Sequence, residues 1–252
     1  MSLVRVEESD SVTRLVMDRP DKRNALSLEL MVELTTALRS ARGPVVAIAG
    51  EGPCFSAGHD LAEVVEGNTA DHTRIFQACV DLMETVQSID QPVIAQVHGV
   101  ATAAGCQLVA ACDLAVAESG ARFGTPGVRI GLFCSTPMVP LSRAIGPKRS
   151  MQMLLTGELI DAPTAADWGL VNTVVDPEEL GATVDELAAK IASASPLTIA
   201  FGKRTFHRQL DLDQRQAYDL AAATMVANAS TADAREGIGA FLEKRDPHWT
   251  GT

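Results

Sequence analysis

The stretch Gln96-Val-His-Gly-Val-Ala-Thr-Ala-Ala-Gly-Cys-Gln-Leu-Val-Ala-Ala-Cys-Asp113 constrains the fold more than any other part of the chain. An apolar strand, Val93 to Val97, enters a loop of small residues between Gly99 and Gly105. A helix leaves that loop with Ala103 and Ala104 at its start, where the first unpaired N–H groups point outward. Such a turn is a socket for negative charge. A second segment, Val45-Val-Ala-Ile-Ala-Gly-Glu-Gly-Pro-Cys-Phe-Ser-Ala-Gly-His-Asp60, has the same design and also runs from a strand through glycines to a helix start. Two such turns facing each other aim two backbone N–H groups at one oxygen, as stabilisation of an oxyanion requires.

Around these turns the chain alternates strand and helix. Val4 to Glu7 and Val12 to Asp18 read as a hairpin across a polar turn. Ser27 is the N-cap of an amphipathic helix carrying Leu28, Met31, Leu34, Thr35 and Leu38 on one face. Strands near Val45, Val93, Leu114 and Val171, separated by helical stretches, imply a layered α/β structure with largely parallel pairing. From Thr136 onward the periodicity is helical: Met138 to Ile145, Ser150 to Thr156, Pro163 to Trp168, then a start at Asp176-Pro177. Residues 1–195 form the expected core and 196–252 a helical region with helices near Leu197 to Leu210, Asp213 to Ala229 and Ala232 to Lys244. Three such helices cannot bury their own apolar faces, so packing on the core or on other subunits is expected.

Composition narrows the partners. With 32 acidic against 21 basic residues, the net charge of −11 argues against nucleic acid or anionic membrane, so an anionic ligand must be held locally. The beginning Met-Ser-Leu-Val-Arg-Val-Glu-Glu lacks the apolar region of a secretory signal, and no apolar run has the length of a membrane span, so a cytoplasmic protein is expected. The five cysteines, Cys54, Cys79, Cys106, Cys112 and Cys134, have no zinc spacing; no metal is expected, and most read as small buried hydrophobes, with Cys134 closest to the presumed pocket.

Arg19-Pro with Asn24-Ala-Leu26, Phe55-Ser-Ala-Gly-His-Asp-Leu61, Pro92-Val-Ile-Ala, Gly105-Cys, Cys112-Asp, Phe123-Gly, Leu155-Thr-Gly-Glu158, Gly169-Leu-Val171 and Phe241-Leu-Glu-Lys-Arg245 occur in an order that resembles the enoyl-CoA hydratase/isomerase (crotonase) family over nearly the whole chain. The Gly131-Leu-Phe-Cys-Ser-Thr-Pro137 stretch is similar to its enoyl-CoA hydratase domain-containing branch. The resemblance implies an α/β fold, a crotonase-type spiral of β-β-α units, with a helical C-terminal trimerisation region and assembly into a homotrimer or a dimer of trimers. It implies an acyl-CoA ligand, no permanently bound cofactor, and a thioester carbonyl held by the N–H groups of His59 and Ala104. It also assigns CoA contacts to Lys22, Arg23, Ala57, His59, Asp60 and Leu61, and to Phe241, Lys244 and Arg245, the latter group from a neighbouring subunit.

The departures bear on chemistry. Hydratases of this family place two glutamates where this chain has Gln107 and Gly127, positions the resemblance puts beside the substrate carbons. Neither residue can move a proton, and acid–base help is worth about a hundredfold to ten-thousandfold, so ordinary hydration is expected to be weak or absent. Ser135 stands where other members carry an aspartate, and reads either as a nucleophile or as the cap of the next helix. The His59 imidazole either transfers protons or only supports the loop. His98 reads as a satisfied core histidine, and Asp60 and Asp113 as fixing turns or helix starts. Three readings stay open: an enzyme of other crotonase chemistry (thioester hydrolysis, isomerisation or decarboxylation), a non-catalytic acyl-CoA binding or regulatory protein in fatty-acyl-CoA metabolism, and a hydratase using His59 as a substitute base.

Overall fold

The computed structural model describes residues 2–252. Strands β1 (Val4–Glu8) and β2 (Thr13–Met17) form the expected hairpin. Helix α1 (Leu28–Ser40) starts at Ser27, whose Oγ accepts from the Leu30 N–H at 3.2 Å; it buries Leu30, Met31, Leu34, Thr35 and Leu38, with Leu28 half-buried at the edge of that face. Then follow β3 (Val46–Gly50), α2 (Leu61–Glu66), α3 (Thr69–Ser88), β4 (Val93–Val97), β5 (Val100–Thr102), α4 (Ala104–Ala111), β6 (Leu114–Glu118) and β7 (Arg122–Gly124).

The second half comprises α5 (Met138–Thr156), β8 (Ile160–Asp161), α6 (Ala162–Trp168), β9 (Thr173–Val175), α7 (Leu180–Ala192), α8 (Pro196–Gln209), α9 (Gln214–Ala229) and α10 (Ala232–Glu243). Gly146, with φ 77°, and Pro147 break α5 into the two helices the periodicity predicts. Asp176 makes no side-chain cap: a single 3-10 turn, Pro177–Glu179, precedes α7. The strand expected near Val171 lies slightly later, at β9.

The main sheet has the order β1-β2-β3-β4-β6-β9, parallel everywhere except at the opening hairpin. Helices α1, α3 and α4 cover one face, with Leu34, Leu82 and Leu108 in one continuous core. Helix α7 covers the other with Leu180, Val184 and Ala188. A second sheet, β5-β7-β8, branches off just after β4. This branching matters for the site, because β5 carries the chain from the main sheet into the small-residue loop.

Candidate functional site

The two glycine-bearing turns are laced together. Phe55 N–H donates to the His98 carbonyl at 3.0 Å, Ser56 N–H to the Val100 carbonyl at 3.1 Å and Thr102 N–H to the Ser56 carbonyl at 3.0 Å. Thr102 Oγ1 donates to the Ala57 carbonyl at 3.1 Å. Gly58 makes the close approach possible: it has φ 94°, and a Cβ there would lie 2.8 Å from the Ala103 Cβ and 2.9 Å from the Thr102 carbonyl oxygen. Only glycine meets both demands at low cost.

Ala103 turns the chain into α4 with φ 49° and ψ −116°, a region that disfavours any residue with a Cβ and costs about 1–3 kcal/mol. Its N–H donates to the Gly124 carbonyl at 2.9 Å, which holds it there. Ala104 itself begins α4 in helical conformation and is fully buried. Among the described residues, neither the His59 N–H nor the Ala104 N–H donates to a protein acceptor. Two unclaimed donors thus sit on adjacent turns.

His59 borders a cavity of about 690 Å³, walled largely by apolar side chains and lined also by Ala57, Leu61, Ala103, Gly127, Cys134 and Ser135; Ala104 lies just behind Ala103 and is not itself on that wall. The His59 ring packs edge-on against Phe76, with centroids 5.3 Å apart. Burial pushes the imidazole down to about 4, so it is neutral at physiological pH, and its Nε2 is enclosed without a partner. Asp60 caps α2 through the Ala62 N–H at 3.1 Å and pairs with Arg19 at 2.8 Å. Burial alone would raise its carboxyl, but the Arg19 bond and charge and the Ala62 N–H hold it below its ordinary range.

Several residues depart from the sequence expectations. Gln107 does not border the cavity: its Oε1 accepts from the Cys79 thiol at 3.6 Å, on α3. Gly127 does border it, but a Cβ there would overlap the Leu132 carbonyl oxygen and lie 2.8 Å from the Cys134 sulfur. Ser135 caps nothing; α5 starts without a side-chain cap, and the Ser135 hydroxyl bonds back to the Phe133 carbonyl at 3.4 Å. His98 is satisfied by the Gly52 carbonyl at 2.9 Å but is only half-buried. Asp113 accepts from the Val93 N–H and also pairs with Lys203 and His207 of α8, a role wider than fixing a turn.

Of the basic pairs, Lys22 and Arg23 are exposed and adjoin the first turn, since the Arg23 carbonyl accepts from the Ala57 N–H at 3.0 Å. Phe241, Lys244 and Arg245 do not border the cavity within one chain. Phe241 is exposed, Lys244 ends α10 in a left-handed conformation, and Arg245 is paired with Glu236 at 2.6 Å and Glu243 at 2.7 Å. Two residues escaped sequence reasoning. Phe76 looks like any apolar position of α3, while Arg129, which also borders the cavity, stands in a segment read only for its glutamate position.

A model of the enoyl-CoA hydratase/isomerase family matches residues 7–252. The chain is 44% identical over 253 residues to enoyl-CoA hydratase domain-containing protein 3, mitochondrial, of Mus musculus, spanning 98% of this chain and 84% of that protein. It is 46% identical over 246 residues to the Homo sapiens protein of the same name, spanning 96% and 81%. The solved structure of an enoyl-CoA hydratase from Mycobacterium smegmatis superposes with a TM-score of 0.95 at 43% identity, covering 98% of each chain. The expectation of a cytoplasmic protein is overturned by the first two relatives, which are named mitochondrial. Its ground was the lack of an apolar secretory region, a criterion blind to mitochondrial targeting, which uses amphipathic, arginine-rich segments. Among the described residues no helix is long and apolar enough to cross a membrane.

Proposed function

The chain belongs to the enoyl-CoA hydratase/isomerase family, and from that premise we propose that it binds an acyl-CoA thioester with the carbonyl oxygen between the His59 and Ala104 N–H groups, without ordinary enoyl-CoA hydration. The observation that supports this reading most is the presence of two unclaimed backbone donors on adjacent turns, that of His59 on the cavity and that of Ala104 directly after the cavity residue Ala103, with a cavity wall that carries no carboxylate. Fixed donors in a dry site favour a carbonyl oxygen that gains negative charge. Adding water across a double bond further needs groups that take and give protons. Gln107 cannot do so and faces Cys79, and Gly127 has no side chain.

His59 is a poor substitute base. Its neutral imidazole is too weakly basic, at about 4, to draw a proton from water or carbon efficiently at neutral pH. Ser135 has no base among its hydrogen-bond partners, which argues against a nucleophilic role. Lys22 and Arg23, exposed beside the first turn of an acidic protein, would meet the CoA phosphates in this reading.

Self-association is part of the same reading. Helices α9 and α10 expose Tyr218, Met225, Val226, Ile238 and Phe241, each at 60% or more. An apolar surface of that kind fits the trimer or dimer of trimers expected for the family. Incubating the protein with an acyl-CoA panel in deuterated water, with mass spectrometry and calorimetry, tests the proposal. Binding heat with little crotonyl-CoA hydration is expected; no heat with short or long acyl-CoA, or hydration at a natural hydratase's rate, would sink it.

A further inference from the structure

Among the described residues one permanently charged side chain borders the cavity, that of Arg129. No Asp or Glu side chain borders it, and the remaining polar groups are the neutral His59 and the Cys134, Ser135 and Thr136 side chains. Arg129 lies in the 3-10 turn Pro126–Ile130, two residues beyond Gly127. Its stem runs along Gly157, where an added Cβ would come within 3.1 Å of Arg129 Cγ and Nε. The Nε–H donates to the Thr156 carbonyl at 3.2 Å. That bond orients the guanidinium plane while leaving the paired Nη1 and Nη2 groups, which have no carboxylate partner among the described residues.

An oriented, unpaired guanidinium at the edge of an apolar cavity is costly to cover with hydrocarbon and well shaped for two parallel bonds to a carboxylate. We propose, resting on the acyl-CoA reading, that Arg129 pairs with a carboxylate at the far end of the acyl group, so that the preferred ligand is the CoA thioester of a dicarboxylic acid. The CoA phosphates are the competing anion. Lys22 and Arg23 already adjoin the first turn, whereas Arg129 belongs to the turn of Gly127, the position that flanks the acyl carbons by family resemblance.

Isothermal titration of the full chain with thioesters of matched length, hexanoyl-CoA against adipoyl-CoA and butanoyl-CoA against succinyl-CoA, and with free CoA, tests the assignment. In the parent, one dicarboxylic thioester should bind about tenfold tighter than its matched partner, the low end for a charge-assisted pair because Arg129 is exposed to water in the free protein. Arg129→Gln should erase that preference and Arg129→Lys restore part of it, with affinity for free CoA unchanged in both. Equal binding of the matched partners in the parent overturns the proposal and leaves the acyl-CoA reading standing. A uniform loss across all ligands, free CoA included, in a folded Arg129→Gln also overturns it, by moving the guanidinium to the phosphates. No binding of any thioester removes both readings. Should Arg129→Gln fail to fold, the parent preference and the Arg129→Lys response decide the matter.

Discussion

The carbonyl oxygen of Leu132 fills the space that a side chain on Gly127 would occupy. Leu132 N–H in turn donates to the Gly127 carbonyl at 3.0 Å, so the loop of residues 131–135 is closed against this glycine from both sides. The obstacle to a glutamate at 127 is therefore space: Gly127 is not among the residues with left-handed backbone. Gly127→Ala should cost about 1–3 kcal/mol through overpacking, and Gly127→Glu more, with displacement of the loop. Thermal unfolding of the two variants checks this, and a Gly127→Glu protein that melts like the parent would refute the packing account. A Gln107→Glu, Gly127→Glu double variant should accordingly show no useful crotonyl-CoA hydration.

His59 makes stability depend on pH. Its folded value of about 4 lies below its ordinary 6.5, so the unfolded chain binds a proton that the folded chain does not between those values. The contribution is fully present above about pH 6.5 and is lost as pH falls towards 4, at about 1.4 kcal/mol per pH unit, or on the order of 3 kcal/mol over the window. Denaturant melts of the parent and of His59→Gln between pH 4 and 7 should diverge with that slope. Parallel curves would mean that the imidazole reaches water and titrates normally.

Asn24 ties the basic segment to the first turn. Its Oδ1 accepts from the Arg19 N–H at 3.0 Å, and its Nδ2 donates to the Glu51 and Cys54 carbonyls at 2.9 and 2.8 Å. The residue is fully buried and has φ 50°, a conformation asparagine tolerates better than alanine. Asn24→Ala should destabilise by about 2–4 kcal/mol by orphaning buried partners and straining the backbone. It should also weaken acyl-CoA binding, because the Asn24 carbonyl accepts from Ser56 Oγ at 2.8 Å and so steadies the turn that leads to His59. A variant with parent-like stability and affinity would show that the turn holds its own shape.

What was legible in the sequence is what local rules decide. The Ser27 cap, the division between the helical stretches Met138 to Ile145 and Ser150 to Thr156, and the two strand-to-helix turns rest on neighbours within a few residues, and each is found where the residues put it. The short strands β5, β7 and β8, two or three residues each, carry too little periodicity to register and exist because they pair with one another. The side-chain direction of Gln107 is set by Cys79, on a different helix, and the room at Gly127 by a loop that closes later in the chain. The two turns could thus be read in advance, whereas the orientation of the side chains around them could not.

Lys203 of α8 is almost wholly buried, and its Nζ meets Asp113 at 2.8 Å and donates to the Val86 and Gln91 carbonyls, both at 2.7 Å. Asp113 also accepts from the Val93 N–H at 2.7 Å and from His207 at 2.9 Å, so one carboxylate joins the end of α4, the start of β4 and two turns of α8. The cluster borders a second cavity of about 730 Å³ between α8 and the core, which means that little apolar packing backs it up there. Lys203→Met removes the cation and leaves a half-buried carboxylate with two orphaned carbonyls, at a cost of about 3–5 kcal/mol. Asp113→Asn with Lys203→Met should recover part of that loss, because the uncompensated charge is then gone. The single variant should also expose α8 to limited proteolysis well before the core, since the docking of this helix is what the pair secures. Unfolding midpoints and the order of cleavage read both effects. Equal cleavage rates for parent and Lys203→Met, with midpoints unchanged, would mean that α8 is held by its apolar contacts and that the ion cluster is incidental.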